Sequence, residues 1–420
     1  MQQKWLPIST FILATAVVTN LLLATSSRAA AVPKVHVDYK LVELPTLGGT
    51  QDSSNWVNDL GWVTGAADLP GGRNEHAYVW REGRMLDLGT LGGTNSLAWP
   101  VNNRDEVGGD SVTSTKDPFR ENFCHFNIDG VFVFQEETCR GFLWLRGVMT
   151  ALPTLGGNNS SVFGMNNRGQ VVGVAEAGSV DPHCVSPQVL DYKPVIWQPG
   201  GGLQELQLFP GDTAGGAIAI NDIGQVVGGS GNCAPLTPAA SAHALLWRNG
   251  SVTYLGGFGG KMNNVPFDIN NRGQIVGLSD LPGDTTSHAF LWQNGVMTDL
   301  GTLPGDFSSG AFGINDKGQV VGQSCDINFN CRAFIWQDGV MSDLNSLISH
   351  RSALFLTTGS HINERGEIAG QAFEKTSGGI PAFLAIPTNE HSAHPSTGFM
   401  LPASVRERFR QRRGLGRFGQ

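Results

Sequence analysis

Six copies of one short apolar phrase are each preceded by a basic side chain. The copies read HAYVW (76–80), RGFLW (140–144), KPVIW (193–197), HALLW (243–247), HAFLW (288–292) and RAFIW (332–336). The basic series is therefore His76, Arg140, Lys193, His243, His288 and Arg332, and a seventh copy, PAFLA (381–385), breaks it at Pro381. Two kinds of chemistry fit. One cation per repeat makes a ring that could bind an anionic ligand such as an acidic polysaccharide. Alternatively, the cations are paired locally, because an Asp follows eleven positions later in three copies: His76 and Asp87, His288 and Asp299, Arg332 and Asp343. A two-residue hairpin loop at Asn294 and Gly295 would make His288 and Asp299 diagonal cross-strand neighbours. The pairing reading is the preferred one, and the basic residues stand as candidate ligand contacts.

The other reactive residue types do not assemble into a catalytic signature. There is no GxSxG elbow, no HExxH and no calcium-loop pattern. No GxGxxG lies between a strand and a helix, so no nucleotide or other cofactor is expected. The six Cys lack paired CxxC spacing, which argues against zinc and leaves no metal site expected. A Trp closes strand c in six copies (Trp80, Trp144, Trp197, Trp247, Trp292, Trp336). Such a fixed position points to packing between repeats rather than to sugar stacking. Trp56, Trp62 and Trp99 fall outside that pattern and are the better candidates for a special surface.

The elements that carry these residues are announced by a second phrase, INDKGQVVG (314–322). It recurs as INNRGQIVG (269–277), INDIGQVVG (220–228), MNNRGQVVG (165–173) and INERGEIAG (362–370), and more loosely at 57–65 and 101–109. Asn followed three places later by Gly fits a tight turn with Gly in the left-handed conformation. Asp105 takes the place of that Gly in one copy. The final Gly of the phrase marks a bend or a close backbone approach. Around each phrase lie four short runs bounded by Gly, Asn or Asp. In the clearest copy they are 311–314, 319–323, 333–336 and 340–344, which predicts strands a, b, c and d of an antiparallel meander.

Seven such units predict an all-β fold, a seven-bladed β-propeller of four-stranded blades over residues 38–387. The last unit lacks strand d, and a spare strand, YKLVEL (39–44), precedes the first. The N-terminal strand would complete the last blade and close the ring, which an open solenoid does not explain. Meander connectivity puts the a–b and c–d turns on one face and the b–c loops and d–a crossovers on the other. The second face carries nearly all the variation, including a long insert at 110–139. The crossovers, of the type TLGGT (90–94) or LPGD (303–306), supply sharp turns between blades.

The phrases HAFLW, DLGTLGG and INDKGQVVG together resemble the HAF-repeat family of exported bacterial repeat proteins, over residues 39–387. The resemblance implies export and a repeat fold, and brings no reaction or catalytic residue with it.

Composition and termini complete the expectation. With 40% hydrophobic and 15% charged residues, the chain is built for a packed core. Residues 30–387 hold 20 basic and 34 acidic residues, a net of −14, which argues against nucleic acid as the partner. Residues 1–30, with Lys4 before an apolar run and Ala29 to Ala31 behind it, read as a signal peptide. No transmembrane segment is expected in the mature chain. Export makes the Cys a disulfide set. All six fall in b–c loops: Cys325 and Cys331 share one, Cys124 and Cys139 share the insert, and Cys184 and Cys233 lie in adjacent blades. Free thiols are the alternative if the chain is not exported. Residues 388–420, with six Arg, are expected to form a disordered basic tail. The sequence thus predicts an exported, periplasmic or extracellular monomer that acts as a ligand-binding or interaction scaffold through its b–c and d–a loop face. Its partner would be a polysaccharide or an envelope component. The alternative is a secreted carbohydrate-active hydrolase or lyase on the same scaffold.

Overall fold

The computed structural model describes residues 37–121, 123–124, 127–128, 131–132, 135–233, 243–261, 263–350, 352–388 and 399–413. The signal peptide expected at 1–30 lies outside the described residues. Among the described residues no helix is long and apolar enough to cross a membrane.

The expected architecture is present. Seven four-stranded antiparallel sheets follow one another, each with its strands in the order a–b–c–d. Blade 6 is typical, with strands Ser308–Ile314, Val320–Cys325, Cys331–Gln337 and Val340–Asp343. Strand a begins three residues before the apolar run, because the ladder continues through the buried Ser308 and Ser309. In blade 7 the fourth strand is the N-terminal Asp38–Glu43, which pairs with Ala382–Thr388 from Asp38 opposite Thr388 to Glu43 opposite Phe383. The chain therefore closes its own ring, and blade 7 has its full complement of four strands.

Every polar atom of the recurrent Asn is used in this closure. In blade 6, Asn315 Oδ1 accepts from the backbone N–H groups of Lys317 and Gln319, both at 3.1 Å. Its Nδ2 donates to Gln319 Oε1 at 2.8 Å and to the backbone carbonyl of Asn363, the equivalent residue of the next blade, at 3.0 Å. The inter-blade bond repeats around the molecule. Asn58 donates to the carbonyl of Asn102, Asn102 to Asn166, Asn166 to Asn221, Asn221 to Asn270 and Asn270 to Asn315, and Asn363 returns to Asn58 at 2.8 Å. A second ring lies beside it. The N–H after each Asn donates to the side-chain oxygen at the same place in the next blade, running through Asp59, Asn103, Asn167, Asp222, Asn271, Asp316 and Glu364 and back to Asp59. That position accordingly holds only Asp, Asn or Glu, each an acceptor.

The final Gly of the phrase is required by space. A Cβ on Gly322 would come within 2.0 Å of the Gly310 carbonyl and 2.9 Å of the Phe334 ring, and at Gly370 the corresponding contacts are 2.0 Å and 2.7 Å. Strand a is bulged at this point in every blade, between Ala311 and Gly313 in blade 6. Bulge residues Phe163, Ile218, Phe267 and Phe312 of four successive blades pack together, so the axis of the propeller is filled there by side chains.

The tail departs from expectation. Residues 399–413 are ordered against blades 6 and 7, with helix α1 at Ala403–Arg413. Leu401, Val405 and Phe409 recur every fourth residue and form one apolar stripe. They bury against the Cys325–Cys331 bridge, Phe355 and Phe373. That burial is the physical reason the segment is not disordered. Residues 389–398 and 414–420 lie outside the described residues.

Candidate binding site on the loop face

All six basic residues before strand c have partners. The three pairs expected at a spacing of eleven are formed: His76 Nδ1 lies 3.0 Å from Asp87, His288 Nδ1 2.9 Å from Asp299 and Arg332 Nη1 3.3 Å from Asp343. Phe290 stands opposite Asp299, so His288 reaches its partner along the diagonal. In blade 4 Tyr254 takes the place of that Asp, opposite Leu245. His243 turns instead to Asp212 of the preceding crossover, at 2.8 Å, and stacks on Phe209. Lys193 pairs with Asp191 at 2.6 Å, and Arg140 donates to the Leu152 carbonyl at 2.5 Å. The cations are held blade by blade, and the structure does not gather them into one site.

The tryptophans are likewise absorbed. Trp197 and Trp247 donate their indole N–H to crossover carbonyls of Pro153 and Gln207. Trp144 and Trp292 sit in apolar clusters that join neighbouring blades. Of the three outside the pattern, Trp56 stacks on His361 at 3.8 Å, Trp62 lies under the Arg81 guanidinium, and Trp99 donates to Asp110.

The six Cys form three disulfides, Cys124–Cys139, Cys184–Cys233 and Cys325–Cys331, in the pairing the loop positions imply. Asp181 lies close to Cys184 and Cys233, but those sulfurs are bonded to each other and cannot serve as thiolate ligands.

A pocket of about 280 Å³ opens on the loop face between blades 6 and 7. Phe355, at the start of strand a of blade 7, and Phe399 of the tail form its apolar wall, with ring centroids 5.1 Å apart. The opposite wall is polar and comes from blade 6: Asp306 of the crossover, Asp326 and Asn330 of the b–c loop, Arg332 of strand c and Asp343 of strand d. Arg332 is the centre of this wall. It lies 2.8 Å from Asp306 and 3.3 Å from Asp343, and also donates to the Pro304 carbonyl. Burial alone would lower its pKa, but the two carboxylates raise it above the ordinary value. Burial raises Asp306, and Arg332 only partly offsets this. Asp306 Oδ2 is enclosed and finds no hydrogen-bond partner. At Asp326 burial is outweighed by hydrogen bonds from Asn330 and the Asn328 backbone and by the nearby Arg406, so its pKa is lowered. The Leu401 N–H donates to Asn330 Oδ1 at 3.0 Å and fixes the tail to this wall.

A second acidic group on the same face is closed to ligands. Glu121 of the insert and Glu176 of blade 3 are buried together with Asp117. Glu121 accepts from the Val189 and Leu190 backbone, and Asn159 Nδ2 donates to both Asp117 and Glu176. Burial, with Glu121 adding to it, pushes Glu176 up to about 8. The arrangement clamps the insert to blade 3.

Arg332 was visible in the sequence as one of the basic series. The rest of the pocket was not, because it is assembled from two blades and the tail. The spacing of Leu401, Val405 and Phe409 was the one available signal that the tail docks.

No family profile matches the sequence, and no curated protein matches it. Among solved structures, the chain is similar to an oligogalacturonate lyase in complex with manganese, with a TM-score of 0.50 and 10% identity over 84% of this chain and 97% of that one. It is also similar to virginiamycin B lyase from Staphylococcus aureus, with a TM-score of 0.48 and 10% identity over 83% of this chain and all of the other. At such identity the likeness is one of fold. The chain is a seven-bladed β-propeller whose blades differ on one face.

Proposed function

We propose that the protein is an exported, disulfide-stabilised binding scaffold of the HAF-repeat type, and that it recognises its ligand through the b–c and d–a loop face. The observation that carries this reading is the pocket between blades 6 and 7. It is built from loop-face residues that differ between blades, whereas the a–b turns commit their polar groups to ring closure. Three disulfides and a leader-like N-terminus support export. Variable loops on a rigid scaffold are the usual place for recognition.

The test is to screen the mature protein on a glycan and envelope-polymer array with one face blocked at a time. Polyethylene glycol attached at Met400→Cys, on the loop face, should abolish capture. The same adduct at Ile223→Cys, on an a–b turn, should leave it intact, and the reverse pattern would reject the reading. New reducing ends or unsaturated products in the same incubations would establish a hydrolase or lyase instead.

A further inference from the structure

The chemistry of the pocket between blades 6 and 7 narrows the ligand. We infer that it takes a single neutral pyranose, an uncharged sugar unit at the end or along the edge of a polysaccharide, and that it discriminates against acidic sugars. This rests on the reading of the loop face given above.

Four observations lead there. First, the volume of about 280 Å³ is near the lower end of the range that holds small molecules, which is room for a sugar ring. Second, one wall is the Phe355 and Phe399 pair, tilted at 46°. Such a wall accommodates the C–H face of a sugar ring, which is apolar on one side and hydroxylated around its edge. Third, the facing wall is rich in acceptors. Asp306, Asp326 and Asp343 line it, and carboxylate oxygens accept from the O–H groups a sugar carries. Fourth, the charges leave no place for an anion. Arg332, the one cation on the wall, is already held by two carboxylates. A ligand carboxylate would have to displace them and meet Asp326 as well. A cationic sugar is disfavoured from the other side. Lys375 Nζ lies 6.0 Å from the Phe355 centroid and 5.5 Å from that of Phe399, and Arg406 stands beside Asp326. Among the described residues, Arg332, Lys375 and Arg406 stand against Asp306, Asp326 and Asp343, so an uncharged, hydroxyl-rich ring meets no net charge from them.

Phe399 comes from the tail, so the tail completes the site. The experiment compares the full mature chain with Phe399→Ala on immobilised dextran, mannan and arabinogalactan as neutral polymers, polygalacturonate as an acidic one and chitosan as a basic one. Far-UV circular dichroism and a melting curve establish that the variant is folded. Retention on at least one neutral polymer, weakened tenfold or more by Phe399→Ala and competed by the corresponding free monosaccharide, is the expected result. Retention on polygalacturonate or chitosan alone, lost in Phe399→Ala, would overturn the neutral-sugar inference and leave the pocket as the binding site. Retention that Phe399→Ala does not change would overturn the pocket itself, and retention on none of the five would overturn the inference together with the polysaccharide partner.

Discussion

Replacing Asn315 with Ala removes one link of the inter-blade ring and tests whether the recurrent phrase is a clasp. The wild-type side chain makes four hydrogen bonds: two accepted from the Lys317 and Gln319 N–H groups, one donated to Gln319 Oε1 and one donated across the blade boundary to the Asn363 carbonyl. A net hydrogen bond is worth about 1 kcal/mol, so four set an upper figure of about 4 kcal/mol. Asn315 is buried, so little of this is recovered by water, and the expected loss is about 2–4 kcal/mol. Asn315→Asp separates the two halves of the role. It keeps the acceptor that shapes the turn but sets a carboxylate oxygen against the Asn363 carbonyl. Its loss should approach that of Ala at neutral pH and shrink in acid, where a protonated carboxyl can donate again. Urea unfolding followed by tryptophan fluorescence gives the stability, and amide exchange in 315–319 and 362–364 locates the effect. If Asn315→Ala costs less than about 0.5 kcal/mol, the range of an ordinary surface substitution, the ring is not a clasp and the recurrent spelling of the turn needs another cause.

Three further outcomes follow from the same contacts. Removing the disulfides one at a time, as paired Cys→Ser changes, should destabilise in the order of enclosed loop length. For separations of 49, 15 and 6 residues the chain-entropy relation gives about 4, 3 and 2 kcal/mol for Cys184–Cys233, Cys124–Cys139 and Cys325–Cys331, and a reversed order in denaturant unfolding would contradict it. Burial raises Asp52 and Glu176 to about 8 and Asp110 to about 7 in the folded chain, against about 4 when unfolded. The stability they contribute is complete below about pH 4 and is lost as pH rises through about 7–8; Glu176→Gln should flatten that slope, and an unchanged slope in pH-dependent unfolding would remove Glu176 from the account. Ending the chain at residue 388 should leave the blades folded but uncover the hollow filled by Leu401, Val405 and Phe409, each worth at most about 1.5–3 kcal/mol of burial. Binding of a hydrophobic dye should rise and amide protection near Phe355 and Phe373 should fall; a truncated chain indistinguishable from the full one would mean the tail does not dock.

The blades were legible because their signals are local. A turn, two Gly residues and a hairpin are specified within about 35 residues, and counting complete and incomplete copies was enough to close the ring. The eleven-residue spacing of His76, His288 and Arg332 from their Asp partners was legible for the same reason. His243 shows where such a rule stops. With Tyr254 at the usual Asp position, the partner became Asp212, which only the path of the crossover brings near. The second ring was hidden in a different way. The residues after the turn Asn, from Asp59 to Glu364, share an acceptor that faces the next blade, a requirement that shows only once the blades stand side by side. Beyond Arg332 the pocket could not be read, since its walls are separated by up to 96 positions, from Pro304 to Met400, and meet only after blade 7 and the tail are in place.

The two faces differ in freedom because of where their hydrogen bonds go. On the a–b face the turn Asn and the residue after it bond to the adjacent blade, so a change in one copy costs the neighbour as well, and the copies are held to one pattern. On the loop face the pairs are mostly closed within a blade or its own crossover, as at His288 with Asp299 or Arg332 with Asp306 and Asp343. A blade can change its partner there without disturbing the ring, as His243 does. The insert between Cys124 and Cys139, the bridge at Cys325 and Cys331 and the docked tail are all additions to this permissive face. Specificity can therefore be altered blade by blade while closure stays fixed, and the closed ring of Asn side chains is what makes that independence possible.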